Sequence, residues 1–194
     1  MTDWEAQYQV GDTPWDKGEP SPGLVDFLAE NPVHGRVLVP GCGFGHDVRA
    51  LAGTADEVVG IDIAPSAVEG ARKLPKAGNE RYEVADLFNL PGEMRGVFDY
   101  VWEHTCFCAI QPSLRPDYVE AVAGALKPEG LLLAVFYLDP GNSSPEEGPP
   151  FEVSVAELNR LFSLHFDLVR EWLPARAYPG REGREWMRLC RKKW

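Results

Sequence analysis

A short glycine-rich segment holds the residues whose spacing is the most suggestive of chemistry. Residues 37–47 read Val-Leu-Val-Pro-Gly-Cys-Gly-Phe-Gly-His-Asp. An apolar run that meets glycines at 41, 43 and 45 predicts a strand, a tight turn and the start of a helix. Glycine adopts conformations that bring the backbone close to a ligand, and a helix N-terminus offers free N–H groups. The turn that contains Gly41 and Gly43 is therefore a predicted ligand contact.

A carboxylate follows at the end of the next apolar run. Val58, Val59, Gly60 and Ile61 lead directly to Asp62. In a strand–turn–helix–strand unit, a carboxylate about 20 residues after the glycines accepts hydrogen bonds from ribose hydroxyls. Together the two motifs predict an adenosine-containing cofactor. The alternative is a glycine turn needed only for a tight connection between strand and helix.

The glycine spacing distinguishes between adenosine cofactors. The pattern is G-x-G-x-G, and His46 stands where a dinucleotide fingerprint has its third glycine. That glycine allows helix and strand to pack closely around a pyrophosphate, which S-adenosylmethionine lacks. The spacing thus favours S-adenosylmethionine and resembles motif I of class I methyltransferases. Two rivals stay open: an NAD-dependent oxidoreductase, which His46 and the lack of a Tyr-x-x-x-Lys pair disfavour, and a cofactor-binding protein without turnover.

Composition narrows the class of protein and partner. A chain of 194 residues with 44% hydrophobic residues predicts one domain, 1–194. A formal net charge of −11 argues against nucleic acid or an anionic membrane as partner. The N-terminus lacks signal-peptide features and no apolar run reaches membrane-spanning length, which predicts a cytoplasmic protein. The four cysteines lack zinc-site spacing and are interpreted as buried or pocket-lining thiols, with no metal.

Residues 1–21 form an N-terminal aromatic segment whose prolines and turn-forming residues do not allow a long helix. After this segment, apolar periodicity predicts alternating strands and helices. The α/β core is 22–194. Strands are predicted at 36–39, 57–62, 80–85, 98–102, 131–138, 166–172 and 185–191, and helices at 22–30, 45–53, 65–73, 112–126 and 155–162. Alternation predicts a mostly parallel, seven-stranded, Rossmann-like sheet with helices on both faces. The last two strands lack a helix between them, so the final strand is expected to be antiparallel. Residues 139–150 are predicted to form a loop.

Several motifs together resemble the thiopurine S-methyltransferase family, which includes halide, thiocyanate and thiol methyltransferases. They are Trp4-x-x-x-Tyr8, Gly11-x-Thr13-Pro14-Trp15-Asp16, Val39-Pro40-Gly41-Cys42-Gly43, Gly60-Ile61-Asp62, Asp86-Leu87-Phe88, Trp102-Glu103-His104, Phe107-Cys108-Ala109-Ile110, Gly148-Pro149-Pro150-Phe151 and Gly183-Arg184-Glu185. The resemblance covers nearly the whole chain. It implies a class I methyltransferase fold and S-adenosylmethionine as the methyl donor.

The resemblance also implies roles for individual residues. Cofactor contacts are expected from Trp4, Tyr8 and Trp15 over the methionine end, from the glycine turn with Gly41 and Gly43, from Asp62 and Ile63 at the ribose and adenine, from Asp86 and Leu87 flanking the adenine, and from His104. Relatives carry tyrosine or arginine at the position of His104. Substrate contacts are expected from Trp15, His104 and Tyr137, and Trp172 and Tyr178 are candidates for the roof of the substrate site.

Simpler structural roles stay open for three of these features. The N-terminal aromatics can be an arm that packs on the core, and Asp86 can cap a helix. His104 can be a hydrogen-bonded core histidine, or a base, since the ordinary pKa of histidine lies near neutrality.

The implied reaction transfers a methyl group from a sulfonium to a small soft nucleophile. A thiol or sulfide and a halide or thiocyanate are rival acceptors. Such nucleophiles need little help from a base, so no obligatory catalytic residue is predicted, and His104 is only a candidate. Aromatic faces stabilise a sulfonium by cation–π attraction of about 0.5–2 kcal/mol per contact. A monomer that acts on small molecules is expected.

Overall fold

A computed structural model of the chain contains one seven-stranded sheet in the order β3-β2-β1-β4-β5-β7-β6. The structure describes residues 2–142, 144 and 147–194. The strands are β1 Arg36–Pro40, β2 Glu57–Asp62, β3 Glu80–Val84, β4 Phe98–His104, β5 Leu126–Tyr137, β6 Phe166–Trp172 and β7 Glu185–Lys192. Strands β1 to β5 pair in parallel, and β7 runs antiparallel to both β5 and β6. The predicted mostly parallel sheet with an antiparallel last strand is confirmed.

Within the described residues, six α-helices connect and cover these strands. They are α1 Trp4–Val10, α2 Pro22–Glu30, α3 His46–Ala52, α4 Pro65–Lys73, α5 Arg115–Ala125 and α6 Val155–Phe162. Helices α2, α3 and α4 pack on one face of the sheet, around Leu24, Leu51 and Val68. Helices α5 and α6 pack on the other face, around Tyr118 and Leu158. Helices therefore cover both faces, as predicted. No described helix is long and apolar enough to cross a bilayer.

The N-terminal aromatic segment contains a helix that sequence patterning did not predict. Helix α1 spans 7 residues, with the Asp3 side chain accepting the Ala6 N–H at its start and Gly11 ending it at φ 73°. The helix has no buried residue. Its apolar periodicity is therefore too weak to reveal it, although the two caps are readable in the sequence. Met1, which begins this segment, lies outside the described residues.

Other differences from the predicted elements are small. Helix α3 begins at His46 because Gly45, at φ 74°, is its N-cap. Strand β4 continues to His104, and β5 begins already at Leu126, opposite Phe98. The pairing of β4 with β5 is irregular after this point, which explains why the early part of β5 lacks strand periodicity. The predicted loop at 139–150 has Ser143, Pro145 and Glu146 outside the described residues.

A buried carboxylate near the end of β4 gives the fold a pH-dependent stability. Burial raises the pKa of Glu103, which outweighs hydrogen bonds from the Tyr118 hydroxyl and the Phe107 N–H. The folded state therefore holds this proton more tightly than the unfolded state. The resulting stabilisation is complete below the unfolded pKa, about 4.3, and is lost as pH rises through the folded pKa.

Glu103→Gln is expected to reduce the decrease in folding stability that accompanies a rise in pH. The amide keeps an acceptor for the Phe107 N–H and a donor for Tyr118, without a buried charge. Thermal melts of both proteins between pH 5 and 8 measure the effect, since about 1 kcal/mol moves the melting temperature by about 2–4 °C at this chain length. The difference between variant and wild type should grow in favour of the variant toward pH 8. A constant difference at all pH values would contradict the assignment to Glu103.

Candidate functional site

A cavity of about 1410 Å³ opens at the carboxyl ends of the parallel strands. The strand order reverses between β1 and β4, and ligands of open α/β sheets bind at such a switch point. All the residues predicted to contact cofactor or substrate line this one cavity, namely Trp4, Tyr8, Trp15, Gly41, Gly43, Asp62, Ile63, Asp86, Leu87, His104 and Tyr137. Its volume leaves room for a second small molecule beside a cofactor.

Asp62 holds the glycine turn after β1 by accepting a backbone hydrogen bond from it. Gly41 and Gly43 have φ of 60° and 52°. The Gly43 N–H donates to Asp62 Oδ2 at 3.0 Å, and the Ala64 N–H donates to Asp62 Oδ1 at 3.0 Å. Burial raises the pKa of Asp62 despite these backbone hydrogen bonds. A carboxylate oxygen can accept two hydrogen bonds, so Asp62 retains acceptor capacity. Asp62 also lines the cavity.

The backbone at this turn leaves no space for larger residues. A Cβ atom at Gly41 would lie 3.0 Å from the Cys106 Sγ, and one at Gly43 would lie 3.0 Å from the Tyr8 hydroxyl. Positive φ adds conformational strain for any other residue. The chain therefore approaches the cavity here with bare backbone, as the glycine spacing predicts.

Apolar side chains surround the cavity beyond the tip of β2. Ile63 and Phe88 are 52% and 39% exposed, and Leu87 is buried. Exposed apolar side chains on a cavity wall suit a flat, apolar ring. Asp86 accepts the Phe88 N–H at 3.0 Å and so caps a short helical turn. The capping alternative for Asp86 is thus real, and it coexists with a position on the cavity wall.

The three N-terminal aromatics form one cluster over the glycine turn. Trp15 meets Trp4 edge to face at 5.2 Å between ring centroids and Tyr8 at 5.7 Å. Tyr8 in turn meets Phe44 of the glycine turn at 5.3 Å. The Trp15 Nε1–H donates to the Tyr8 hydroxyl at 3.1 Å. The cluster is half-buried, so it packs on the core and also covers the cavity.

Two polar contacts anchor this cover to the core. Glu5 accepts hydrogen bonds from the Ser66 N–H at 2.9 Å and the Ser66 hydroxyl at 2.6 Å, at the start of α4. Asp16 Oδ1 lies 3.1 Å from His46 Nε2, at the start of α3. Negative side chains at helix N-termini are stabilising. These contacts hold the segment against the cavity without burying α1.

His104 sits at the end of β4 with an acidic partner that sequence reasoning missed. Its Nδ1 lies 2.7 Å from Asp47 Oδ2, and its ring stacks on Tyr178 at 5.8 Å. Asp47 also accepts the Trp102 Nε1–H at 2.8 Å and the Ser21 N–H at 2.7 Å. Asp47 is acidic in the first turn of the helix after the glycines, which is the only signal the sequence carries for it.

The segment before β7 contributes further lining residues, among them Tyr178 and Arg181. Tyr178 lines the cavity, as suggested, and its hydroxyl donates to the Glu19 carbonyl at 2.7 Å. Arg181 places its guanidinium 4.6 Å from the Tyr137 ring centroid and 5.6 Å from that of Tyr178. Trp172 does not roof the site: it stacks on Phe27 at 5.9 Å and lies outside the cavity lining. Its position in β6, the edge strand, takes it away from the switch point.

Two of the cysteines on the cavity wall, Cys106 and Cys108, are neutral thiols. Burial raises the pKa of Cys106 well above its ordinary value and the pKa of Cys108 to about 12. A protonated thiol is a weak nucleophile. Both residues therefore contribute a soft, apolar lining, as the sequence interpretation expects.

S-adenosylmethionine fits this set of residues. Bare backbone at Gly41 and Gly43 admits a close ligand, and Asp62 has free acceptor capacity for ribose hydroxyls. The aromatic cluster offers ring faces and edges next to the same turn, which suits a sulfonium cation. No phosphate-sized anion is needed to explain the turn, whose acidic neighbours Asp62 and Asp47 would oppose one.

Comparison with known proteins gives the same assignment. A family model described as thiopurine S-methyltransferase matches residues 1–172. The probable thiol methyltransferase 2 of Arabidopsis thaliana is 38% identical over 173 residues, covering 86% of this chain and 74% of that protein. The thiocyanate methyltransferase 1 of Brassica oleracea is 38% identical over 159 residues, covering 79% and 68%.

A solved structure shows the same fold at low identity. The Burkholderia thailandensis 1,6-didemethyltoxoflavin-N1-methyltransferase, with bound 1,6-didemethyltoxoflavin and S-adenosylhomocysteine, superposes with a TM-score of 0.74 at 20% identity, covering 98% of this chain and 85% of that one. None of the proteins named here supports an NAD-dependent oxidoreductase. With the sheet, the cavity and the sequence matches in agreement, the chain belongs to the thiopurine S-methyltransferase family and is an S-adenosylmethionine-dependent methyltransferase.

Proposed function

We propose that the methyl acceptor is a small soft nucleophile, either a thiol or sulfide or a halide or thiocyanate. The observation that carries this proposal is the lining of the cavity, which includes Cys106, Cys108, Ile110 and Phe151. Cys106 lies directly against the glycine turn, at Gly41. Thiols, apolar and aromatic side chains suit a polarisable atom better than a strongly hydrated one. The relatives named as thiol and thiocyanate methyltransferases add support.

In this proposal, the cofactor occupies the half of the cavity nearest β1, β2 and β3. Gly41 and Gly43 contact it through their backbone, and Asp62 holds the ribose. Ile63, Asp86 and Leu87 flank the adenine. Trp4, Tyr8 and Trp15 cover the methionine end. His104, Tyr137 and Trp15 then border the acceptor, with His104 also next to the cofactor.

The cofactor supplies a methyl group that is already activated by its sulfonium. The protein contributes alignment and exclusion of water, which are the main requirements of an in-line displacement. The Trp4, Tyr8 and Trp15 cluster closes the cavity toward solvent and presents aromatic surface to a cation. The Glu5 and Asp16 contacts keep that cluster in place.

The proposal extends to partners. The cavity supports a small-molecule acceptor, and the formal net charge of −11 opposes nucleic acid. We also propose that the chain acts as a monomer, because the site is assembled from residues of one chain. Sedimentation at the working concentration tests this statement.

A product screen tests the acceptor class directly. The purified protein is incubated with S-adenosylmethionine and, one at a time, iodide, bromide, thiocyanate, sulfide and small thiols. Headspace and solution analysis measures the methylated products. We expect transfer to at least one of these acceptors, and much less to catechols, amines and carboxylates. Robust transfer to oxygen or nitrogen acceptors, with none to sulfur or halide, would contradict the proposal.

A further inference from the structure

We propose that His104, oriented by Asp47, is a general base that takes a proton from the acceptor. The site is then built for a protonated soft nucleophile, a thiol or hydrogen sulfide, and not for a halide or thiocyanate. The inference rests on the proposed function and chooses between its two acceptor classes. Its basis is a hydrogen-bonded Asp–His pair on the wall of the cavity.

One ring nitrogen of His104 is left without a partner. The side chain is 14% exposed and lines the cavity. Nε2 is buried and makes no hydrogen bond with any described residue. Buried polar atoms in native proteins are nearly always hydrogen-bonded. Six other buried side-chain atoms of the described residues also lack a hydrogen-bond partner, but Nε2 is the one that belongs to a residue lining the cavity. Nε2 has almost no accessible surface, so in the proposed complex the side chains packed over it give way and the acceptor becomes its partner. Catalytic hydrogen bonds often form fully only in the complex.

Asp47 determines which nitrogen carries the proton. A carboxylate accepts hydrogen bonds, so the 2.7 Å contact places the hydrogen on Nδ1 and a free lone pair on Nε2. Asp47 is itself fixed by Trp102 and the Ser21 N–H. Burial raises the pKa of Asp47, but the charge of His104 and these hydrogen bonds outweigh it, and the pKa is lowered overall. The carboxylate thus stays ionised and stabilises an imidazolium.

The surrounding charges favour a neutral acceptor over an anion. Asp47 and the Nε2 lone pair both present negative charge density to a halide. Arg181, a cation on the cavity wall, is already 3.3 Å from the buried carboxylate of Glu185. A thiol brings no charge and offers a proton to Nε2.

The proposed step combines one proton transfer with one methyl transfer. The S–H bond of the acceptor breaks and its proton moves to His104 Nε2. The electron pair left on that sulfur forms the new S–CH₃ bond. The bond between the methyl carbon and the donor sulfur breaks, and its electron pair stays on that sulfur, which becomes a neutral thioether. The imidazolium next to Asp47 releases its proton to solvent after the products leave.

Acceptors with and without a proton give the decisive test in the full-length protein. His104→Asn keeps an amide N–H at the Nδ1 position for Asp47 and removes Nε2. His34→Asn makes the same change at an exposed histidine and serves as the control. For an alkanethiol, kcat/KM of His104→Asn should fall by about 10²-fold or more. For iodide, which has no proton to give, the fall should be at least about tenfold smaller, so the ratio of kcat/KM for the thiol to that for iodide drops. His34→Asn should leave this ratio unchanged.

An NMR measurement tests the same pair without turnover. The ¹⁵N chemical shifts of His104 in the wild-type protein should report the Nδ1–H tautomer. Asp47→Asn should weaken this preference, because the amide cannot accept from His104, Trp102 and Ser21 in the same way. An Nε2–H tautomer in the wild type would overturn the proposal even if no variant folds.

The kinetic outcomes separate this inference from the proposed function. An equal loss for iodide and thiols in His104→Asn, or no loss for either, would overturn the base role and leave soft-nucleophile methylation standing. Wild-type transfer to iodide but not to thiols would also overturn the base role and leave soft-nucleophile methylation standing. Wild-type transfer to neither class would instead refute the proposed function itself.

Discussion

Removal of residues 1–18 is expected to leave a folded protein that has lost nearly all methyl transfer. Helix α1 buries no residue, and the sheet and both core clusters lie outside this segment. The deletion removes Trp4, Tyr8 and Trp15, and with them the cover of the cavity. Water then reaches the transfer site and the cation–π contacts are lost, which lowers both cofactor affinity and turnover. Circular dichroism and a thermal melt report folding, and product analysis reports transfer.

Point variants assign this effect to the aromatic cluster. Trp15→Ala removes the ring that contacts both Trp4 and Tyr8, so it should reproduce much of the loss. Val10→Ala is a matched control in α1, because this side chain is 78% exposed. A folded truncation that transfers methyl groups at the full-length rate would show that the segment is only a packing arm.

The fold was predictable where apolar runs and turn residues agree. Strand β2 and helix α4 have the predicted bounds because both are bordered by clear signals, an apolar run that ends at Asp62 and a proline at 65. Helix α1 was missed because it has no buried face, and the start of β5 was missed because its pairing with β4 is irregular. Tertiary pairing determines where β5 begins, whereas the ends of α1 are set by its two local caps, Asp3 and Gly11.

The residues of the candidate site show the same contrast between local sequence signals and contacts that only the fold creates. Gly41, Gly43 and Asp62 follow strand ends and have a local signature, so the sequence indicates them directly. Asp47 and His104 are 57 positions apart and meet only because β1 and β4 are neighbours in the sheet. No spacing rule within the chain predicts that contact. Arg181 likewise reaches the cavity from a segment without regular structure before β7.

Asp62→Ala is expected to weaken the binding of S-adenosylmethionine and S-adenosylhomocysteine by about ten- to a hundredfold, or about 1.5–3 kcal/mol. Two losses contribute. In our assignment the carboxylate accepts hydrogen bonds from the ribose hydroxyls, and such charged hydrogen bonds are stronger than neutral ones. The same carboxylate accepts the Gly43 N–H, so its removal also releases the glycine turn that would contact the cofactor. Isothermal titration calorimetry measures the affinity.

Asp86→Ala provides the comparison that makes this result specific. Asp86 also lines the cavity and also accepts a backbone N–H, but that bond holds a short helical turn instead of the glycine turn. Its removal should cost less affinity than the removal of Asp62. NAD should not bind the wild-type protein measurably, because His46 and the acidic surroundings of the turn do not suit a pyrophosphate. Unchanged affinity in a folded Asp62→Ala protein would show that the carboxylate only supports the turn, and the ribose contact would then have to be sought elsewhere on the cavity wall.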